Sequence, residues 1–201
     1  MYNRAMHDTN TETKRALHSE ILATDQEVKA AINKLAIEII REFKNQNPLF
    51  VCLLRGGIPF SSELMFAITQ QDPHFFPELD YMTVSRYGAN QTPSPTPHVV
   101  MDLSYKTAIT GRTVIVLDDL IDKGGTYSFT KKHLEDKGAT RVYLAALAQR
   151  EIDELREFDA DFYCFSIASQ EWLTGMGLDD PRIGNEANRW AKYVAIANLA
   201  S

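Results

Sequence analysis

Val114-Ile115-Val116-Leu117-Asp118-Asp119-Leu120-Ile121-Asp122-Lys123-Gly124-Gly125-Thr126 is the stretch whose reading decides the fold of this 201-residue chain. The uninterrupted apolar run Val114 to Leu117 predicts a buried strand of the kind found in parallel sheets covered on both faces. A helix is predicted over Thr126 to Lys137, ended by Gly138 as a left-handed C′ residue. The unit therefore delivers two adjacent carboxylates to the carboxyl end of a strand, where open α/β sheets bind ligands. Free amides at the helix N-terminus, with no glycine side chains in the way, suit a phosphate group. Carboxylates able to hold ribose hydroxyls or a magnesium ion, beside anion-binding donors, outline a sugar-phosphate site. The plainer alternative is a strand end followed by an ordinary turn. Three acids, two glycines and a threonine within nine residues favour the site.

The flanking sequence extends the pattern in both directions. Thr24-Asp25-Gln26-Glu27 has the form of a capping box. Val28, Ile32, Leu35, Ile39 and Phe43 follow at helical spacing, predicting an amphipathic helix of five to six turns. Leu49 to Leu54 reads as a buried strand ending in Arg55-Gly56-Gly57, with Pro59 in the first turn of a following helix. Leu79 to Val84 is a further strand. Beyond Tyr87 a polar stretch carries Pro93, Pro95 and Pro97, which forbids a helix and argues against a central strand. That stretch reads as a long loop, either a functional lid or a surface excursion. Val142 to Ala148, Phe162 to Ile167 and Tyr193 to Ile196 complete the strands. Strands alternating with helices predict an α/β fold with a mainly parallel sheet flanked by helices. With no internal repeat or linker, residues 21–201 form a single expected domain. Residues 1–20 are an N-terminal arm or an extra helix.

Composition narrows the function. Hydrophobic residues at 44% and charged residues at 24% are globular values, which argues against extended disorder. A net charge of −6 and a pI near 5.4 argue against a broad nucleic-acid footprint. Cys52 and Cys164 both lie in apolar runs and read as buried reduced thiols; no Cys/His spacing resembles a zinc site. A polar N-terminus and the lack of a long apolar run point to a soluble, cytoplasmic protein. No G-x-G-x-x-G follows the first strand, so a dinucleotide-binding fold is disfavoured.

The stretch from Val114 to Thr126 resembles the 5-phosphoribosyl 1-diphosphate signature of type I phosphoribosyltransferases. With Asp122 as a third acid before the glycines, it is similar to the hypoxanthine-guanine branch in particular. The resemblance spans roughly residues 20–198. Leu53-Leu54-Arg55-Gly56-Gly57 matches the turn that holds pyrophosphate in the family, often through a cis peptide where Leu54–Arg55 falls. Ser85-Arg86-Tyr87-Gly88 resembles the start of the family's mobile catalytic loop. Arg150 stands where the family usually has a lysine to purine O6; a planar, longer head alters that geometry. Glu171-Trp172-Leu173-Thr174-Gly175-Met176-Gly177-Leu178-Asp179 resembles the segment that covers the purine. Arg189 matches an arginine that reaches pyrophosphate, after what reads as a small insertion from Asp180 to Gly184. Asp118 replaces a common Glu, and Lys123 a common Thr.

The resemblance implies a small hood contributed mainly by about residues 165–201, a Mg2+ cofactor and a homodimer or homotetramer. It implies purine salvage: transfer of the phosphoribosyl group to hypoxanthine or guanine, giving IMP or GMP and pyrophosphate. Asp122 is then the catalytic base, and Asp118 and Asp119 hold the ribose hydroxyls and the metal's outer shell. Lys123, Gly124, Gly125 and Thr126 bind the 5′-phosphate, and Arg55, Gly56 and Arg189 the pyrophosphate. Arg86 and Tyr87 begin the lid. Arg150, Trp172 and the Leu173 carbonyl contact the purine, and Asp179 meets a second magnesium. A xanthine-preferring enzyme and a non-catalytic regulator on the same fold are the alternatives. Retention of Asp122 and the negative charge speak against the regulator.

Overall fold

A computed structural model of the chain describes residues 18–87, 93–152, 158–168, 170–180 and 188–197. The apolar run at its centre is β5, Thr113–Ile121. It lies between β2, Leu49–Leu53, and β6, Arg141–Arg150, parallel to both. β3, Glu78–Tyr87, pairs parallel with β2, and β7, Phe162–Ile167, parallel with β6. A last strand, β4, Pro93–Met101, joins β3 antiparallel, giving the order β4-β3-β2-β5-β6-β7. The sheet is mainly parallel, as the uninterrupted apolar runs predict.

Strand parity divides the apolar residues into two layers. Phe50, Ile115, Leu117, Ala145 and Leu147 face α1, Asp25–Phe43, and α2, Gly57–Gln71. Leu49, Val51, Val114, Val116 and Leu144 face the other way, onto α3, Gly125–Asp136, through Tyr127 and Leu134. Ile115 and Val116 are fully buried, one in each layer, which stabilises each by about 1.5–3 kcal/mol relative to exposure. The predicted capping box is present. The Thr24 hydroxyl accepts from the Glu27 amide, and Glu27 accepts from the Thr24 amide at 2.9 Å. Gly138 follows the end of α3 with φ of 102°.

Over one end of the sheet sits a small antiparallel sheet of order β1-β9-β8. β8, Leu173–Thr174, and β9, Val194–Ala197, come from the C-terminal segment. β1, His18–Ala23, pairs with β9, so the hood is not C-terminal alone. Reading residues 18–20 as part of an arm missed a strand whose partner is more than 170 residues away. Hood residues Leu173, Met176, Leu178, Val194 and Ile196 share the apolar layer of α1 and α2, which fixes the hood to the sheet.

Three other expectations change. The proline-spaced stretch is in part an edge strand rather than a loop. β4 needs only one ladder, so missing N–H groups are tolerated there. Residues 88–92, where the lid reading also falls, lie outside the described residues. β5 runs on to Ile121, so the two acids lie within its last half rather than beyond it. Cys52 is buried but Cys164 only partly, and both are free thiols. Burial pushes both up to about 12, so neither is a ready nucleophile. Among the described residues no helix is long and apolar enough to cross a membrane.

Candidate active site

A cavity of about 720 Å³ opens at the carboxyl ends of β5 and β6, roofed by the hood. This is where a parallel sheet presents its ligand site. Its floor is the acid-rich end of β5, with Asp118 and Asp119 both partly buried. Burial and the Asp119 charge beside it raise Asp118 well above the ordinary carboxylate range. Burial raises Asp119 too, against the pull of a hydrogen bond with Asp118 and the positive charge of Arg189. Two acids in one half-buried corner resist ionising together, and a cation at this place relieves both.

Lys123, Gly124, Gly125 and Thr126 form the next wall. Gly124 caps α3 in the left-handed region with φ of 82°, and its carbonyl accepts from the Ser128 amide at 2.9 Å. A β-carbon at Gly124 would sit 3.0 Å from the Phe158 backbone nitrogen and oxygen. The loop is therefore wedged between the helix it opens and the chain at Phe158. Tyr127 fixes the same corner: its hydroxyl donates to the Val142 carbonyl at 3.1 Å, and its ring meets Phe158 edge-on at 5.5 Å. Phe158 was not legible as part of the site, because only the fold brings it under Gly124.

Asp122 and Arg150, assigned separate tasks from sequence, touch. The Arg150 Nε donates to Asp122 Oδ1 at 2.5 Å, and its Nη1 donates to the Glu171 carbonyl at 3.3 Å. Arg150 is 8% exposed, whereas the Asp122 side chain is 56% exposed. The buried guanidinium thus ties the end of β6 to both the acid loop and the hood. Nothing in the sequence joins two residues 28 positions apart.

The hood supplies the opposite wall. Trp172 lines the cavity and is 45% exposed, and its Nε1 donates to the Asp179 carbonyl at 2.9 Å. Leu173 and Asp179 line the cavity beside it. Arg189 does not line the cavity, but its charge reaches Asp119 on the cavity floor. It donates to the Gly177 carbonyl and to Asp179 Oδ2, the latter at 3.2 Å. Arg55 and Gly56 also stand just outside the cavity lining. The Leu54–Arg55 peptide is cis, and Gly56 lies so close to Asp119 that a β-carbon would be 2.0 Å from Oδ2. Arg86, near the end of β3, lines the cavity; Tyr87, the last residue of that strand, pairs with Pro93 of β4.

Gly177 is the residue whose importance sequence reading missed. With φ of 106° it packs against the Gly56 carbonyl, where a β-carbon would be 2.1 Å from the oxygen. Its alternation with Gly175 was the available signal, read only as motif spacing. Among the described residues no three His, Cys, Asp or Glu side chains form a ready metal cluster.

Known proteins share this fold and much of this sequence. Residues 18–181 match the family described as phosphoribosyl transferase domain. The hypoxanthine-guanine phosphoribosyltransferase of Streptococcus thermophilus is 31% identical over 160 residues, 80% of this chain and 84% of that protein. The Streptococcus mutans enzyme of the same name gives the same identity and coverage. Among solved structures, a hypoxanthine phosphoribosyltransferase from Staphylococcus aureus superposes with a TM-score of 0.77 at 19% identity, covering 90% of this chain and 92% of that one. One from Trypanosoma cruzi, complexed with IMP, gives 0.77 at 20% identity over 91% and 93%. A domain match over most of the chain, with relatives similar along four-fifths of it, makes this chain a member of the phosphoribosyltransferase family, in its hypoxanthine-guanine branch.

Proposed function

We propose that the chain salvages 6-oxopurines, transferring the phosphoribosyl group of 5-phosphoribosyl 1-diphosphate to hypoxanthine or guanine. The products are IMP or GMP and pyrophosphate. The observation that carries this reading is one cavity holding an anion-binding helix start, an acid pair and an exposed tryptophan. These three features match the three parts of the substrate pair: phosphate, ribose and a flat base.

In this reading the amides of Lys123 to Thr126, with the Thr126 hydroxyl, hold the 5′-phosphate. Asp118 and Asp119 accept from the ribose hydroxyls. Trp172 stacks on the purine, Arg150 donates to O6, and the Leu173 carbonyl meets the 2-position. Arg55, Gly56 and Arg189 receive the pyrophosphate. The bond from ribose C1 to pyrophosphate breaks as one to purine N9 forms, so positive charge develops on the ribose. Positioning and fixed charges lower that barrier, with no covalent enzyme intermediate. Asp122 takes up the proton at N7, and Arg150 holds its carboxylate in place. Arg86 lines the cavity, where it helps screen the sugar cation from water.

Mg2+ fits these donors. An adjacent acid pair that resists full ionisation is relieved by a divalent cation, and magnesium needs only one or two carboxylates when substrate phosphates and waters complete its shell. Asp118 and Asp119 would hold it through its outer shell, and Asp179 would meet a second ion beside the pyrophosphate. When bound, the ion neutralises leaving-group charge. A cytoplasmic homodimer or homotetramer is the form that the family resemblance implies.

The test is a panel of 5-phosphoribosyl 1-diphosphate and magnesium with hypoxanthine, guanine, xanthine or adenine, each followed by absorbance. Turnover of hypoxanthine or guanine is expected. Turnover of xanthine alone would move the substrate. Binding of the sugar diphosphate with no turnover of any base would refute the enzymatic reading.

A further inference from the structure

Arg189 is delivered by a tight turn, residues 188–191, docked against the hood. The Gly177 amide donates to the Arg189 carbonyl at 2.8 Å, the Met176 amide to the Ala191 carbonyl at 2.7 Å, and the Ala191 amide to the Asn188 carbonyl at 3.0 Å. Asn188 begins that turn with φ of 64°, a left-handed conformation that asparagine tolerates better than most residues. Its side chain is held at both ends. Nδ2 donates to the Thr174 hydroxyl at 3.0 Å, and Oδ1 accepts from the Tyr193 hydroxyl at 3.2 Å. Thr174 is wholly buried on β8, next to the cavity residue Leu173 but not itself in the cavity lining. A buried hydroxyl in an apolar hood is costly unless it is hydrogen-bonded, and here it anchors one residue.

We propose that Asn188, with Thr174 and Tyr193, is the positioning network that aims Arg189 at the pyrophosphate subsite. The inference rests on the reading of Arg189 as a pyrophosphate ligand. Asn188 sets the backbone direction from which the arginine leaves the hood, and Thr174 and Tyr193 hold Asn188 from opposite sides. Asp179 and the Gly177 carbonyl then fix the guanidinium itself. The network touches no substrate. It acts first on the pyrophosphate subsite; the purine platform shares Asp179 with it, through the Trp172 ring and Arg189, and shares β8, through Leu173 and Thr174, so the IMP readout tests whether the effect stays local.

The test runs the reaction backwards, with IMP and pyrophosphate as substrates, on Thr174→Val, Asn188→Gly and Thr174→Ser. Thr174→Val keeps the shape and removes the hydroxyl, and Asn188→Gly keeps the backbone freedom and removes both side-chain bonds. Each is expected to raise the KM for pyrophosphate by about three- to tenfold, the worth of one ordinary hydrogen bond, with IMP binding unchanged. The double variant should be no worse than Asn188→Gly alone, because Thr174 acts through Asn188. Thr174→Ser, which restores the hydroxyl, should return the pyrophosphate KM to the wild-type value. Arg189→Gln is the control for the underlying reading. If it leaves pyrophosphate binding unchanged, the pyrophosphate role of Arg189 fails and the network has nothing to aim. If it weakens pyrophosphate but Thr174→Val and Asn188→Gly do not, the positioning role alone is overturned. Equal weakening of IMP and pyrophosphate would show general loosening of the hood and would also overturn it.

Discussion

Gly177→Ala is a sharp test of how the hood meets the acid pair. The new β-carbon would lie 2.1 Å from the Gly56 carbonyl oxygen and 3.2 Å from the Asp119 β-carbon, where ordinary contacts begin at 3.4 Å. The first of these neighbours is backbone, so no side-chain rotation relieves it. The hood turn must lift away from the Arg55-Gly56 turn by on the order of 1 Å, and the left-handed φ adds a cost of about 1–2 kcal/mol for an L side chain. With the penalty for overpacking, the total destabilisation is about 2–4 kcal/mol. In a domain of this size that lowers Tm by roughly 5–15 °C. The same lift separates the hood's half of the site from the acid pair, and a displacement near 1 Å can cost ~10²-fold in rate. Thermal unfolding and kcat/KM for both substrates measure the two effects. Gly111→Ala is the control: its φ is 77°, but nothing lies within 4 Å of its β-carbon. It should show the conformational cost alone, with full activity. Wild-type Tm and kcat/KM in Gly177→Ala would refute the argument that this close approach sets the hood against the site.

Three further outcomes follow from the electrostatics. Asp118→Asn should raise Tm in magnesium-free buffer while abolishing turnover. A carboxylate raised in the folded state favours folding when protonated, and that stability is lost as pH rises through its folded value. Unfolding curves at pH 5 and pH 8 check this, since the variant's advantage should be larger at the higher pH. Asp102 behaves in the opposite sense. Burial pushes it up, but Lys137 at 2.8 Å, the Leu103 amide and His133 outweigh burial and hold it below the ordinary range. Its stabilising contribution is present above the unfolded value and lost as pH falls through the folded one. Asp102→Asn should therefore lower the urea midpoint at pH 7, with the gap closing in acid. Asp122→Ala should reduce kcat by ~10²–10⁴-fold with the sugar diphosphate still bound, and undiminished turnover would remove it as the base.

What could be read in advance was local. The helix cap at Thr24 needs only four consecutive residues, and the strand, acids and glycines from Val114 to Thr126 form one continuous unit. Both were legible because period and spacing carry them. β1 was not, since a six-residue strand at this end has meaning only against β9 at the far end of the chain. The contacts of Gly177 with Gly56, Gly124 with Phe158 and Arg150 with Asp122 were hidden for the same reason. Each joins segments tens of residues apart, and each depends on backbone approach or side-chain reach that no local pattern encodes. The prolines after Tyr87 argue only against a helix and a central strand, and reading the stretch as a loop passed over the edge strand that they allow.

Those prolines have a consequence for the molecule in a crowded solution. β4 is the outer margin of the large sheet, and such a margin normally offers a ladder of donors and acceptors to any extended chain that drifts against it. Pro93, Pro95 and Pro97 have no N–H, so three of the nine residues of β4 cannot donate to a visiting strand. The margin that β4 forms is thereby made a poorer template for strand exchange and fibril growth.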